Sequence, residues 1–279
     1  MTAAEALNIA EERLTRAGLE SPQTEALALL EHLLHLSRSE LHLSRARVLT
    51  PTETARLEGW LGRREKHEPL QHITGVAHFY GLELRVTPDT LIPRPETERL
   101  VELGLEALKG VTRPNVLDVG TGSGAVALAL KNERPDASVW ATDLSRAALE
   151  VAEGNAQRLG LEVSFTLSDL LAAPTVQRFA QSVDLLLSNP PYLPEGDAAW
   201  LSPEVQRDPP GALFSGRDGL RHFRQLSAQA LGLLKPGAVC LLELDPRNVR
   251  QAQNESKGWA EATVHTDLVG RERFLRLSR

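Results

Sequence analysis

A single cysteine, Cys240, occurs in the 279 residues, so neither a disulfide framework nor a cysteine-built zinc site is possible. It lies in Val239-Cys240-Leu241-Leu242 and reads as a core thiol. No apolar run approaches the roughly 20 residues that a membrane-spanning helix needs. The opening Met1-Thr2-Ala3-Ala4-Glu5 carries acid early and lacks a signal-peptide core. No membrane partner and a cytoplasmic location are therefore expected. A basic face is missing as well. Net charge is −6; residues 1–72 carry 9 basic and 11 acidic side chains, and the remainder 22 and 26. Proteins that grip a nucleic-acid backbone concentrate Lys and Arg on one face or segment, so no direct nucleic-acid partner is expected. His32 and His35 share a helical spacing, but no carboxylate–histidine cluster surrounds them, and no metal site is expected. Internal repeats and low-complexity tracts are absent. Apolar content of 42% and charged content of 24% describe an ordinary globular chain. Its length suits one large domain, or one medium and one small.

Residues 1–72 carry helical periodicity. Leu7, Ala10, Leu14 and Ala17 recur at helical spacing until Gly18. Ser21-Pro22 reads as an N-cap followed by proline at the first helical position, ahead of Leu27, Leu30, Leu33 and Leu34. Thr50-Pro51-Thr52-Glu53 is a capping box opening a helix to about Lys66. A small bundle is predicted. The pattern then turns strand-like from Ile73 to Val86, with Gly81 as a turn residue, and a β-hairpin linker is expected within residues 73–92. Leu91-Ile92-Pro93-Arg94-Pro95 forbids regular structure. Pro95 can be the first residue of a helix running from Glu96 to about Lys109, and the Ile-Pro-Arg-Pro segment could wall a pocket.

Residues 93–279 alternate strand and helix. Strands are predicted near 115–119, 137–142, 162–167, 183–188 and 238–244, which defines a doubly wound parallel sheet. A helix from Val249 to Lys257 then leads to strands near 262–267 and 273–277. A closing antiparallel pair suits a seven-stranded methyltransferase sheet better than a six-stranded dinucleotide-binding one.

The first of these strands runs into Gly120-Thr121-Gly122-Ser123-Gly124. Such a loop lets backbone approach a ligand closely. Asp143, at the end of the next strand, can accept hydrogen bonds from both hydroxyls of a ribose. Gly120, Gly122 and Ala125 also satisfy a dinucleotide fingerprint, with Asp143 at the expected distance. The loop by itself therefore leaves NAD and S-adenosyl-L-methionine both open. Asp169, after the third strand, lies where an adenine amino group could be held.

Asn189-Pro190-Pro191-Tyr192 separates the two. It follows a buried strand, where open α/β sheets bind their ligands. Two prolines stiffen it. Asn189 offers an amide oxygen and an NH₂, and Tyr192 a ring face and a hydroxyl. That set suits gripping a planar, neutral –NH₂ group whose nitrogen is the nucleophile, and it has no role in hydride transfer.

Four motifs occur in one order: Leu91-Ile92-Pro93-Arg94-Pro95-Glu96-Thr97-Glu98, Asp118-Val119-Gly120-Thr121-Gly122-Ser123-Gly124-Ala125, Ser188-Asn189-Pro190-Pro191-Tyr192, and Phe214-Ser215-Gly216-Arg217-Asp218-Gly219-Leu220. Together they resemble the bacterial peptide-chain release factor glutamine methyltransferases, the HemK/PrmC family. The resemblance implies an α/β class I methyltransferase domain over residues 93–279, behind a helical substrate-recognition domain over 1–72. It implies a monomer that methylates the glutamine side-chain amide in the Gly-Gly-Gln motif of class-one release factors, tuning translation termination. The cofactor would be S-adenosyl-L-methionine, leaving as S-adenosyl-L-homocysteine. Gly120, Thr121, Gly122, Ser123 and Gly124 would face its methionine portion, Asp143 its ribose, and Asp169 and Leu170 its adenine. Leu170 stands where some members carry an aromatic residue. Asn189, Pro190, Pro191 and Tyr192 would hold the target amide, with Asn189 also touching the cofactor. A ribosomal-protein glutamine and an adenine N6 are the alternative acceptors that such a loop would also suit.

Overall fold

The computed structural model describes all residues from Met1 to Arg279. The chain forms two compact units, one of Met1–Val76 with Ser202–Arg207, the other of Ala77–Leu201 with Asp208–Arg279.

The first unit holds α1 (Ala3–Arg16), α2 (Pro22–Leu34), α3 (Arg38–Leu43), α4 (Pro51–Arg64) and α5 (Leu70–Thr74). The capping box at Thr50/Glu53 forms, and two more form at Thr2/Glu5 and Ser37/Glu40. Each satisfies two otherwise orphaned N–H groups. Ser21 precedes α2, but its side chain makes no capping bond; Pro22 has no N–H of its own to be satisfied. Leu14, Leu29, Leu30, Leu57 and Leu61 form the centre of the bundle. Arg64, only 3% exposed, is paired at 2.5 Å with both Glu25 and Glu204, which is why the Ser202–Arg207 segment belongs to this unit. α5 runs through Ile73 and Thr74, where the hairpin was expected to begin. It stops at Gly75, whose left-handed backbone sends its N–H to the Gln71 carbonyl.

The hairpin pairs β1 (Val76–Phe79) with β2 (Leu82–Arg85). Tyr80 and Gly81 both have positive φ, the turn geometry that matches strand twist. Phe79, Leu82 and Leu84 pack into the main core of the second unit, so the hairpin is an integral part of that unit. After it, Pro95 opens a 3₁₀ turn over Pro95–Thr97, and the α-helix α6 begins only at Glu98 and ends at Ala107. Glu98 is not merely a favourable charge at that end; its carboxylate accepts the Tyr80 N–H at 2.7 Å.

The rest alternates as expected: β3 (Asn115–Val119), α7 (Ala125–Glu133), β4 (Ser138–Asp143), α8 (Arg146–Leu159), β5 (Ser164–Leu167), α9 (Pro174–Ala180), β6 (Leu185–Ser188), α10 (Arg221–Leu233), β7 (Val239–Glu243), α11 (Val249–Glu255), β8 (Glu261–Thr266) and β9 (Glu272–Ser278). The seven strands lie in the order β5-β4-β3-β6-β7-β9-β8. Pairs among β3 to β7 are parallel, and β9 runs antiparallel to both β7 and β8. Helices cover both faces, so β6 and β7 are buried along their length. Side chains alternate between the two cores: Val116, Leu185, Leu187 and Leu241 enter one, Leu117, Leu186, Cys240 and Leu242 the other. No helix is long and apolar enough to cross a membrane.

Leu241, fully buried in β7, should lose ~2–5 kcal/mol of stability on truncation to alanine. Leu268, 86% exposed in the β8–β9 turn, should lose less than ~0.5 kcal/mol. Urea midpoints of the two variants check this; equal losses would contradict the assigned core.

Candidate active site

Register places the site. Val119 lies level with Thr142 on one side and Ser188 on the other. The Ser188 hydroxyl, buried, donates to the Val119 carbonyl at 2.6 Å. The glycine loop, Asp143 and Asn189 therefore leave the sheet together at its carboxyl edge.

Within the glycine loop most backbone donors bond within the fold. The N–H groups of Gly120 and Thr121 both go to the Thr142 carbonyl, at 2.8 and 2.9 Å, and that of Gly122 to Asp143 Oδ2 at 2.9 Å. Asp118, buried beside the loop, accepts the Thr121 hydroxyl at 2.6 Å. Three of the loop's N–H groups are thus not free for a pyrophosphate. Burial pushes the Asp118 carboxyl up to about 7, against the lowering effect of the Thr121 hydroxyl. Gly124 serves packing rather than the cavity. At φ +86°, a Cβ there would meet Leu128 and Ala152 at 3.0 and 3.2 Å.

A cavity of about 280 Å³ opens beside the loop. It brings together Gly120, Gly122, Asp143, Asp169, Leu170, Asn189 and Pro191. Asp143 accepts Gly122 N–H on one oxygen and Ser145 N–H, at 2.8 Å, on the other. Each oxygen keeps a lone pair for a ligand. Burial raises the Asp143 pKa and the backbone bonds oppose the rise. Leu170 holds a left-handed backbone, φ 50°, uncommon for a non-glycine residue. Thr121, Ser123 and Asp118 line a second, smaller cavity of about 50 Å³, which shares Gly120, Gly122, Leu91 and Asn189 with the first.

The catalytic-loop residues separate. Asn189 is half-buried between both cavities, and its NH₂ donates to Thr97 Oγ1 at 3.1 Å. Pro190 is buried and lines neither cavity. Tyr192 lines neither; its ring packs on the core beneath the loop. There burial first, then the Glu243 charge, pushes its hydroxyl pKa up. Its carbonyl is approached by Gly219, φ +76°, where a Cβ would stand 2.2 Å from that oxygen and 2.8 Å from Asn248 Nδ2. Asn248 in turn bridges the Tyr192 and Asp218 carbonyls at 3.4 and 3.3 Å.

Several cavity residues carry no recognisable sequence signal. Asp89, Thr90, Pro209, Gly211 and Ala212 line it from loops. Asp208, buried just before Pro209, takes Arg94 at 2.5 Å and the Ile92 N–H at 3.4 Å, which ties the Ile-Pro-Arg-Pro segment to the loop beyond the site. His222, also on the cavity wall, has Nδ1 2.8 Å from Ser215 Oγ. Burial, then the Arg221 charge, lowers its pKa.

Fold and site together define a class I methyltransferase. Comparison with known proteins agrees. Residues 5–75 match the PrmC N-terminal domain, and residues 100–201 the methyltransferase small domain. The release factor glutamine methyltransferase of Deinococcus radiodurans is 47% identical over 269 residues, 96% of this chain and 95% of that one. That of Streptomyces coelicolor is 42% identical over 272 residues, 95% and 94% of the two chains. The solved catalytic domain of hMettl16 shares the fold alone, at a TM-score of 0.56 and 14% identity over 84% of this chain and 83% of that one. The chain belongs to the release factor glutamine methyltransferase family.

The Asp118 pKa sets a pH dependence of stability. A carboxyl whose folded value, about 7, exceeds its ordinary 3.8 destabilises the fold as it ionises. The penalty is absent below the unfolded value, grows as pH rises and is complete above about 7. The stability of Asp118→Asn relative to the unaltered protein should therefore rise between pH 4 and pH 7, by up to ~4 kcal/mol. Denaturant titrations across that range measure it; a pH-independent difference would remove Asp118 from this role.

Proposed function

We propose that this enzyme methylates the side-chain amide nitrogen (N5) of the glutamine in the Gly-Gly-Gln motif of class-one release factors, using S-adenosyl-L-methionine. The observation that carries the reading is Asn189, an amide at the shared wall of the two cavities with its NH₂ held by Thr97 and its oxygen left for an incoming –NH₂. The residues fit the cofactor chemically. Asp143 would hold the ribose hydroxyls, Asp169 the adenine amino group, and Leu170 the adenine face. Gly120, Gly122 and the buried acid Asp118 suit the cationic methionine end, because a buried carboxyl with a raised pKa is favoured in its charged form by a nearby positive charge. The cofactor supplies an electrophilic methyl on a sulfonium.

An amide nitrogen is a poor nucleophile because its lone pair is delocalised. Asn189 Oδ1 accepts an N–H of the glutamine, which orients the nitrogen and favours electron density on it. Positioning of this kind can contribute up to ~7–11 kcal/mol. Pro191 walls the cavity, and Tyr192, packed beneath, supports the loop. The Asn189–Tyr192 stretch has no base; the proton leaves to water after methyl transfer. The enzyme acts as a monomer in the cytoplasm. A single glutamine offers too little surface to select one protein, so the helical unit contacts the release factor away from that residue.

Incubation with labelled cofactor and purified release factor, followed by peptide mass mapping, should place one methyl on the Gly-Gly-Gln glutamine. Label elsewhere would refute the assignment. Asn189→Ala should lose most turnover while keeping cofactor affinity within a few fold; Asp143→Ala should instead weaken cofactor binding by ~1.5–3 kcal/mol.

Removal of residues 1–72 should leave cofactor binding largely intact. It should depress methylation of intact release factor far more than that of a short Gly-Gly-Gln peptide. Equal depression of both, with binding retained, would make the helical unit a scaffold only.

A further inference from the structure

His222 stands on the wall of the larger cavity together with Asp169 and Leu170. It is half-buried, in the first turn of α10. Ser215 is fully buried and lines neither cavity. The Ser215 hydroxyl oxygen accepts the His222 backbone N–H at 2.9 Å, and the same oxygen lies 2.8 Å from His222 Nδ1. The backbone bond satisfies a donor that the start of a helix leaves open. Helix capping does not account for the bond to the ring.

A hydroxyl has one proton and two lone pairs. A lone pair of Ser215 takes the His222 N–H, and the only other partner of that oxygen is Nδ1. Were Nδ1 protonated, the buried Ser215 proton would have no acceptor, which is costly. Nδ1 therefore accepts, and in a neutral imidazole the other nitrogen then carries the hydrogen. Burial, then the Arg221 charge, disfavours the doubly protonated ring, against the pull of Asp169. Nδ1 is turned to a residue outside the cavity, which leaves Nε2–H as the polar group of the ring for a ligand. One cavity wall thus carries a neutral donor, His222, and an acceptor, Asp169.

Adenine has the matching pair: an amino group that donates, flanked in the ring by nitrogens that only accept. We propose that His222, fixed by Ser215 in its Nε2–H form, is a cofactor-binding residue that donates to a ring nitrogen flanking the adenine amino group, so that Asp169 and His222 together select adenine. The inference rests on the cofactor reading proposed for this cavity.

Nitrogen-15 NMR of the cofactor-free enzyme near neutral pH should show His222 Nδ1 without hydrogen and Nε2 with one. Calorimetry then compares S-adenosyl-L-homocysteine with its 1-deaza and 7-deaza analogues, each of which replaces one flanking nitrogen by C–H. One of the two analogues should bind the unaltered enzyme about fivefold more weakly than the parent, and which one identifies the nitrogen. His222→Phe keeps a flat ring and loses the donor. It should bind the parent about fivefold more weakly and no longer distinguish it from that analogue, because both changes remove the same bond. His222→Gln retains an N–H donor and should bind the parent within about threefold of the unaltered enzyme. A ring protonated at Nδ1 would overturn the inference. So would equal affinity for all three ligands, or a His222→Phe that keeps the preference, which would leave His222 a packing ring. If His222→Phe does not fold, the NMR and the analogues decide, since both use the unaltered enzyme. Failure of that enzyme to bind S-adenosyl-L-homocysteine at all would defeat the cofactor reading itself; binding indifferent to the ring nitrogens would defeat only the role of His222.

Discussion

Everything at the site depends on the register of three parallel strands. Val119 must sit level with Thr142 and Ser188. A slip of one residue would exchange the faces of every side chain, carrying Leu185 and Leu187 out of one core and Leu186 into it. It would also displace Asn189 from the glycine loop. The hydrophobic alternation that stabilises the sheet is thus the same constraint that aligns the chemistry. The Ser188–Val119 bond, at 2.6 Å, reinforces it at the one level where an error would reach the cavity.

Most backbone donors of the glycine loop are used inside the fold. A glycine-rich turn before a helix is ordinarily an anion site. Here three of the turn's N–H groups bind Thr142 and Asp143, and the buried Asp118 accepts the Thr121 hydroxyl. The buried Asp118 carboxyl costs stability as it ionises, and the charge it then carries is the one that the proposed cationic cofactor would meet.

The large elements were legible because their causes are local. β3 is bounded as its apolar run implies, and the antiparallel end of the sheet follows from two strand patterns after the last helix. The capping box at Thr50 states its own hydrogen bonds. Legibility failed where the cause was distant. Ile73 alternates with later apolar residues like a strand, yet Gly75 lets α5 finish before the hairpin starts. Pro95 could open an α-helix, but the chain first makes a 3₁₀ turn, which brings Thr97 to Asn189. Tyr192 offers a ring face to any ligand on paper; the core beneath the loop takes it instead. Asp118 carries no signal of its own beside the glycines, since nothing in a sequence shows that a carboxylate is wholly buried. Thr97, His222 and Asp208 find their partners only through tertiary packing, across 92, 7 and 114 positions of chain.

Gly219 shows that an absence can be a functional part. The space in front of the Tyr192 carbonyl is taken up by nothing larger than a hydrogen, and Asn248 reaches the same oxygen through it. Any side chain at 219 would push on the loop that carries Asn189 without itself coming near a ligand. Surveys that rank positions by what their side chains touch would score this one at zero. Yet a Cβ there would stand 2.2 Å from the Tyr192 carbonyl oxygen, so the position has no room for a side chain. The active centre is therefore held partly by a residue that contributes no atoms to it.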